Sequence, residues 1–184
     1  LPAGARNILE NGGFESGTQG WDLDEGHRLL RNPQDAHTGV ACVTGAVDKE
    51  KDSLQLTRRI PVSTENLYHL RIWVRATNRT RLAIWAVQPG AAERTRVGAW
   101  DNVPATWREY STPLSVSGNG ILELQFIAPS SWGAPAGQMW VDDVRLFETK
   151  LPDTASVSGE EGFNDEPCMV RADDGSIYVA WNRF

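Results

Sequence analysis

Histidine, cysteine and methionine are all scarce in this chain of 184 residues, which holds 3 His, 2 Cys and 2 Met. The histidines, His27, His37 and His69, do not follow HExxH or related metal spacing, and neither a Gly-x-Ser-x-Gly elbow nor a phosphate loop is present. Nothing in the separation of Cys42 from Cys168 resembles a metal knuckle or a redox pair, so both are expected as small buried thiols. Long basic runs are also missing: 18 Lys and Arg stand against 24 Asp and Glu, a formal charge of −6, which argues against nucleic acid as a partner. No apolar run approaches membrane-spanning length, no membrane partner is expected, and Leu1-Pro2-Ala3-Gly4 does not read as a signal peptide.

Tryptophan, by contrast, is abundant: 8 Trp accompany only 3 Tyr and 5 Phe. So large a ring is costly to leave on a surface without purpose, so some of these indoles are expected to meet a ligand or partner. The length suits one core-bearing domain with an appendage.

Helix-period patterns are rare, whereas alternating segments bounded by Gly, Pro, Asn and Ser recur, the mark of an all-β domain. Leu54, Leu56, Ile60 and Val62 share parity; so do Tyr68, Leu70, Ile72 and Val74, opposed by His69, Arg71, Trp73 and Arg75. Leu82, Ile84 and Ala86 oppose Arg81, Ala83, Trp85 and Val87, and similar alternation runs through Tyr110, Leu114 and Val116 and through Leu122, Leu124 and Phe126. From Gln138 to Phe147 the parity changes at Asp142-Asp143, since Val141, Val144 and Leu146 all look core-facing, which predicts a β-bulge. With short strands near Ile8-Leu9, Phe14 and Val40-Cys42-Thr44, about eight or nine strands result, as in a two-sheet antiparallel sandwich or jelly roll.

After Glu148 the texture turns polar, small and acidic, from Pro152 to Gly162, which predicts a linker and a boundary near Lys150 between a sandwich over 1–150 and a tail over 151–184. In that tail, Pro167-Cys168-Met169-Val170 and Ile177-Tyr178-Val179-Ala180-Trp181 flank Asp173-Asp174-Gly175, a hairpin signal, although one hairpin holds no core.

Asn11-Gly12-Gly13-Phe14-Glu15 with Gly20-Trp21, His37-Thr38-Gly39, Tyr68 to Ala76, Thr106-Trp107-Arg108-Glu109-Tyr110 and Val141-Asp142-Asp143-Val144-Arg145-Leu146 occur in an order that resembles the jelly-roll carbohydrate-binding modules of families four, nine, sixteen and twenty-two. The resemblance covers residues 7–148 and implies a non-catalytic, secreted or cell-surface module, monomeric in isolation, that directs a larger carbohydrate-active protein to a polysaccharide or oligosaccharide. Residues 165–181 look like the opening blade of a sialidase-type propeller, with Arg171 standing where that repeat prefers Ser or Thr.

The resemblance also implies a structural calcium ion. Hard cations need several oxygens, and the family pattern assigns side-chain ligands to Glu15 and Asp142 and backbone oxygens near Glu10 or Asn11 and near Thr38, with Asp143 in reserve. The alternative is that these carboxylates only cap turns. Trp21 and Trp107 match core positions of the family; Trp140, beside the bulge, suits either face.

A sugar site needs flat apolar faces flanked by fixed polar groups. If Asn78-Arg79-Thr80 forms a three-residue hairpin loop, Trp73 lies across from Trp85 on one sheet, with Arg71 and Arg75 beside them; a two-residue loop destroys that alignment. Glu123 and Gln125 could join the same concave sheet and bind hydroxyls, while Trp100 and Trp132 are second-choice platforms on loops at the rim. The arginines would suit an acidic glycan. Two other classes stay open: a polysaccharide lyase using His69, Arg71 and Gln125, for which no partnering tyrosine is in place, and a protein-interaction or adhesion sandwich docking through its Trp-rich surface.

Overall fold

The computed structural model describes residues 4–47, 53–128, 137–150, 164–171 and 177–183. Its contacts divide the chain into two compact units, Leu1–Leu151 and Pro152–Phe184. Within the first lie β1 (Arg6–Asn7), β2 (Asp22–Leu23), β3 (His27–Arg31), β4 (Ala41–Val47), β5 (Ser53–Val62), β6 (Asn66–Ala76), β7 (Leu82–Val87), β8 (Arg94–Trp100), β9 (Arg108–Leu114), β10 (Gly120–Ala128) and β11 (Gly137–Lys150). They form two antiparallel sheets: a six-stranded one ordered β3-β4-β11-β6-β9, with β1 also on β11, and a five-stranded one ordered β2-β5-β10-β7-β8.

The period-2 patterns translate directly into two apolar faces that meet. From the six-stranded sheet Val43, Leu70, Ile72, Val74, Val141, Val144 and Leu146 point inward; from the five-stranded sheet Leu56, Ile60, Leu82, Ile84, Leu122, Leu124 and Phe126 do, all of them buried in one cluster. Each such large apolar side chain contributes roughly 1.5–3 kcal/mol by leaving water. Trp21 joins them, 5.2 Å from Phe14 and 5.9 Å from Phe126. Phe14 itself lies in no strand: it occupies a turn at φ 58°, its ring fully buried.

Successive strands mostly change sheet. β4 is in the six-stranded sheet, β5 in the five-stranded, β6 back in the first and β7 in the second, and β9, β10 and β11 alternate likewise. The expected hairpin between the strands of Trp73 and Trp85 therefore does not form. After β6 the chain makes a 3-10 turn over Thr77–Arg79, with Asn78 at φ 61°, and Ala76 N–H and Thr80 C=O are bonded instead to Pro104 O (2.7 Å) and Val103 N (2.8 Å). Those bonds lead the chain across the end of the sandwich rather than back along its own sheet.

The bulge on β11 is present: the register with β6 shifts between Asp142 and Arg145, and Asp143 adopts φ 47°. The irregularity lets the N-terminal segment dock on the last strand. Val144 N–H donates to Gly12 O at 3.0 Å, Ile8 N–H donates to Leu146 O at 2.8 Å, and Arg6 and Asn7 pair with Glu148 and Phe147.

In the second unit, β12 (Asn164–Arg171) and β13 (Ile177–Arg183) pair antiparallel, from Asn164 opposite Arg183 to Arg171 opposite Ile177. These are the strands expected of the tail hairpin; Asp173-Asp174-Gly175 lies outside the described residues. Among the described residues no helix is long and apolar enough to cross a membrane.

Candidate functional site

The outward face of the five-stranded sheet carries a row of side chains that crosses all its strands. The pairings place Asp22 opposite Thr57, Thr57 opposite Gln125, Gln125 opposite Trp85 and Trp85 opposite Arg96. A second row runs Arg59, Glu123, Val87, Arg94. Inward neighbours of the same strands fill the core, so alternation forces these residues outward. Trp85, Glu123 and Gln125 are half-buried, while Arg59, Arg94 and Arg96 are exposed.

These groups are linked along the sheet. Arg59 Nε donates to Glu123 Oε2 at 2.9 Å, Gln125 Nε2 donates to Glu123 Oε1 at 2.8 Å, and an Arg94 guanidinium N–H donates to Gln125 Oε1 at 3.3 Å. Arg94 also lies 4.7 Å from the centroid of the Trp85 ring. The result is an indole beside a ladder of donors and acceptors, the pattern that a ring with one apolar face and a rim of hydroxyls requires.

Arg94 and Arg96 were not among the expected site residues because a second bulge hides them. The pairing of β7 with β8 shifts between Ile84 and Trp85, so Val97 is the extra residue. Without it Arg96 and Trp100 would share a face; with it Arg96 stands beside Trp85 while Trp100 turns inward, opposite Leu82. Trp100 is thus no rim platform: its ring packs against the core, 5.2 Å from Tyr110, and Gly98 is the residue it lies across, where a Cβ would come within 2.4 Å of the indole. Trp132 lies outside the described residues.

Trp73 is on the other side of the molecule from Trp85. It does face outward, but from the six-stranded sheet, and its ring is stacked on His37 at 3.8 Å and 14°. Trp107 meets His37 edge-on at 5.7 Å, so it packs on this outer face and not in the core. Arg75 lies 4.2 Å from the Trp140 ring and 5.4 Å from that of Trp107, and pairs with Asp35 at 2.9 Å. Arg71 is engaged by Glu109 at 3.5 Å and by the Phe147 ring at 5.7 Å. Trp73, Trp107 and Arg75 hold the 32–38 loop onto the sheet through His37 and Asp35, and the expectation of Trp73, Arg71 and Arg75 beside Trp85 is corrected accordingly. The same split takes Gln125 away from His69 and Arg71, so that trio is not assembled for lyase chemistry. Burial, with the nearby Arg71 cation, lowers the pKa of His69, and burial raises that of Tyr110.

Glu15 and Asp142 converge on one turn. Glu15 Oε1 accepts the N–H groups of Val40 (2.8 Å) and Ala41 (3.0 Å), and Asp142 Oδ2 accepts those of His37 (2.8 Å) and Thr38 (3.2 Å), while Asp142 Oδ1 accepts Asp143 N–H at 2.7 Å. Asp142 is fully buried, and desolvation pushes its pKa up to about 6 despite those three bonds. Asp143 is also buried, but hydrogen bonds from His37, Thr38 and Arg145 outweigh desolvation and hold it below its ordinary value. Asn11 is committed within its own loop: its C=O accepts Trp21 Nε1–H at 3.0 Å and its amide bonds Gly17 O, Gln19 O and Ser16 N. Among the described residues no group of three or more His, Cys, Asp and Glu is arranged around a metal position. Cys42 is a free, buried thiol on the outer side of β4, its pKa raised by burial to about 12.

Comparison with known proteins adds to this geometry. The family model described as "Carbohydrate binding domain" (CBM_4_9) matches residues 6–132. A search of curated proteins finds no match. Among solved structures, TmCBM61 in complex with β-1,4-galactotriose is similar with a TM-score of 0.62 at 18% identity, over 78% of this chain and 99% of that one. The CBM22-1 xylan-binding domain of Paenibacillus barcinonensis Xyn10C gives 0.62 at 14% identity, over 83% and 100%, and a CBM4 module gives 0.56 at 17%, over 74% and 99%. At these identities the likeness is one of fold.

Proposed function

The chain belongs to the CBM_4_9 carbohydrate-binding domains, and we propose that it takes hold of its glycan on the outward face of the five-stranded sheet, with Trp85 as the stacking platform. The observation that carries this reading is the row Thr57, Gln125, Trp85, Arg96 running across the strands beside the bonded ladder Arg59, Glu123, Gln125, Arg94. A sugar ring lies its C–H face on Trp85; Glu123 and Gln125 take its hydroxyls. Similar modules solved with galactotriose or described as xylan-binding support an oligosaccharide or polysaccharide as ligand. Affinity is modest, because an open face recovers little for each hydroxyl it desolvates. Affinity electrophoresis through gels containing xylan, galactan and acidic polysaccharides tests the reading: retardation in at least one gel, abolished by Trp85→Ala, supports it, and retardation unchanged by Trp85→Ala overturns it.

The module works as a non-catalytic monomer outside the cell, where its polymers are found, and serves to hold a larger carbohydrate-active protein on them. The unit over Pro152–Phe184 is separate from this module.

A structural calcium ion belongs to the same reading. Glu15 Oε2 and a second lone pair of Asp142 Oδ1 are left by the hydrogen bonds described above, and both carboxylates hold the 37–41 turn. A hard cation joined by the backbone carbonyl of Thr38 and one near Glu10 would balance the buried Asp142 charge, the Asn11 carbonyl being taken by Phe14 N–H and Trp21 Nε1–H. Its task is to fasten the N-terminal segment and the 37–41 turn to β11.

A further inference from the structure

Charge is distributed unevenly along the proposed glycan face. At the β2–β5 end, Arg59 is bracketed by two carboxylates, Glu123 at 2.9 Å and Asp22 at 3.7 Å. At the β8 end, Arg96 stands opposite Trp85 and Arg94 opposite Val87, and Arg81, farther along the same face, pairs with Asp101 at 2.9 Å. In a chain of net charge −6 this concentration of guanidinium groups is local and specific. Among the described residues, Arg94 is bonded to neutral groups, the Gln125 carbonyl oxygen and the Trp85 ring.

The surface is also shaped there. Beyond Arg96 the β7–β8 row continues as the fully buried Ala83 opposite the exposed Ala99, and a depression of about 340 Å³ there is lined by Arg81, Arg96, Ala99 and Asp101. The Val97 bulge brings the two halves of this feature together, since it keeps Arg96 on the outer face next to the indole. Neighbouring strands are about 4.8 Å apart, so a ring stacked on Trp85 holds its substituents within reach of β8.

We propose that this end of the face is an anion subsite, and that the glycan carries a carboxylate or a sulfate on the sugar seated at Trp85 or on its neighbour toward β8. The inference rests on the reading of this face as the glycan site. Guanidinium is suited to the task because its planar fork donates two parallel bonds to a carboxylate or sulfate and is less strongly hydrated than ammonium. Arg94, now over the indole, moves aside to meet the anion as the sugar ring takes its position.

The test uses pairs of polymers that differ only in charge: glucuronoxylan, pectate and alginate against their carboxyl-reduced forms, and a sulfated galactan against its desulfated form. The expected result is at least tenfold tighter binding to the charged member of one pair, weakened by raising NaCl from 50 to 500 mM. Arg94→Gln with Arg96→Gln should remove that difference and its salt dependence, so that the charged and neutral members bind alike; a difference that survives both substitutions overturns the subsite. A response in the uronate pairs identifies carboxylate, and one in the galactan pair identifies sulfate. Equal, Trp85-dependent binding to both members of every pair overturns the anion subsite and leaves the glycan face standing. Binding that ignores Trp85→Ala, or no binding to any polymer, overturns the face itself and the subsite with it.

Discussion

Gln125 stands directly opposite Trp85 in the pairing of β10 with β7, and its amide is shared between Glu123 on one side and Arg94 on the other. The indole therefore does not lie on a bare sheet. Glu123 and Gln125 are bonded to each other, and Glu123 to Arg59, before any sugar arrives, and such pre-fixed polar groups reduce the ordering cost that open binding faces otherwise meet.

Trp85 and Trp73 should behave as opposites under substitution. Trp85→Ala is expected to lower glycan affinity at least tenfold, measured by calorimetry, with little change in melting temperature, because the ring is only half-buried. Trp73→Ala removes the stack on His37 and is expected to cost about 1–2 kcal/mol in urea unfolding, with affinity unchanged. A loss of affinity in Trp73→Ala would show that the six-stranded sheet also meets the glycan.

Asp142 gives the protein a pH dependence with a definite sign. Burial raises its pKa to about 6, so in the metal-free protein its contribution to stability is complete at low pH and is lost as pH rises through about 6. Asp143, held below its ordinary value, contributes in the reverse sense: its stabilisation is present above about pH 4 and disappears as pH falls further. Calcium needs the ionised Asp142, and the rise in melting temperature on adding calcium should be larger at about pH 7.5 than at about pH 5. No rise at either pH, with EDTA as the reference, would exclude the ion.

Removing the Asp142 carboxylate strands three backbone donors, those of His37, Thr38 and Asp143. Each buried unpaired group costs about 1–3 kcal/mol, so Asp142→Ala should destabilise by about 3 kcal/mol or more in chemical denaturation. A loss under 1 kcal/mol would mean that water replaces the carboxylate.

Gly12 has no room for a side chain. A Cβ there would lie 1.8 Å from Val144 O, against the β11 backbone whose N–H it also accepts. Gly12→Ala should push the N-terminal segment off the last strand, seen as early loss of amide protection at Ile8 and Val144 in hydrogen exchange. Gly39 is limited differently, by φ 65° and by the Glu15 carboxylate, which would lie 2.1 Å from a Cβ at that position; Gly39→Ala should weaken the same corner through Glu15.

Inward and outward residues were legible in the chain for β6, β7, β10 and β11, because alternation is a local property of each strand. The Asp142-Asp143 bulge was legible for the same reason, as a break in parity between Val141 and Val144. β8 was not, since its own bulge at Val97 scrambles the period that would have revealed it, and with it went Arg94 and Arg96.

From its sequence alone this protein could be known as an all-β sandwich of the carbohydrate-binding kind, with Trp85, Glu123 and Gln125 turned away from the core. Only the tertiary structure decided that Trp73 belongs to the opposite surface and that Arg94 and Arg96 complete the face of Trp85. Side-chain direction follows from the pleat of a single strand, whereas the choice of sheet depends on hydrogen bonds between segments far apart in the chain. The link from β6 to β7 crosses between sheets through such bonds, at Pro104 and Val103, and no local pattern records them.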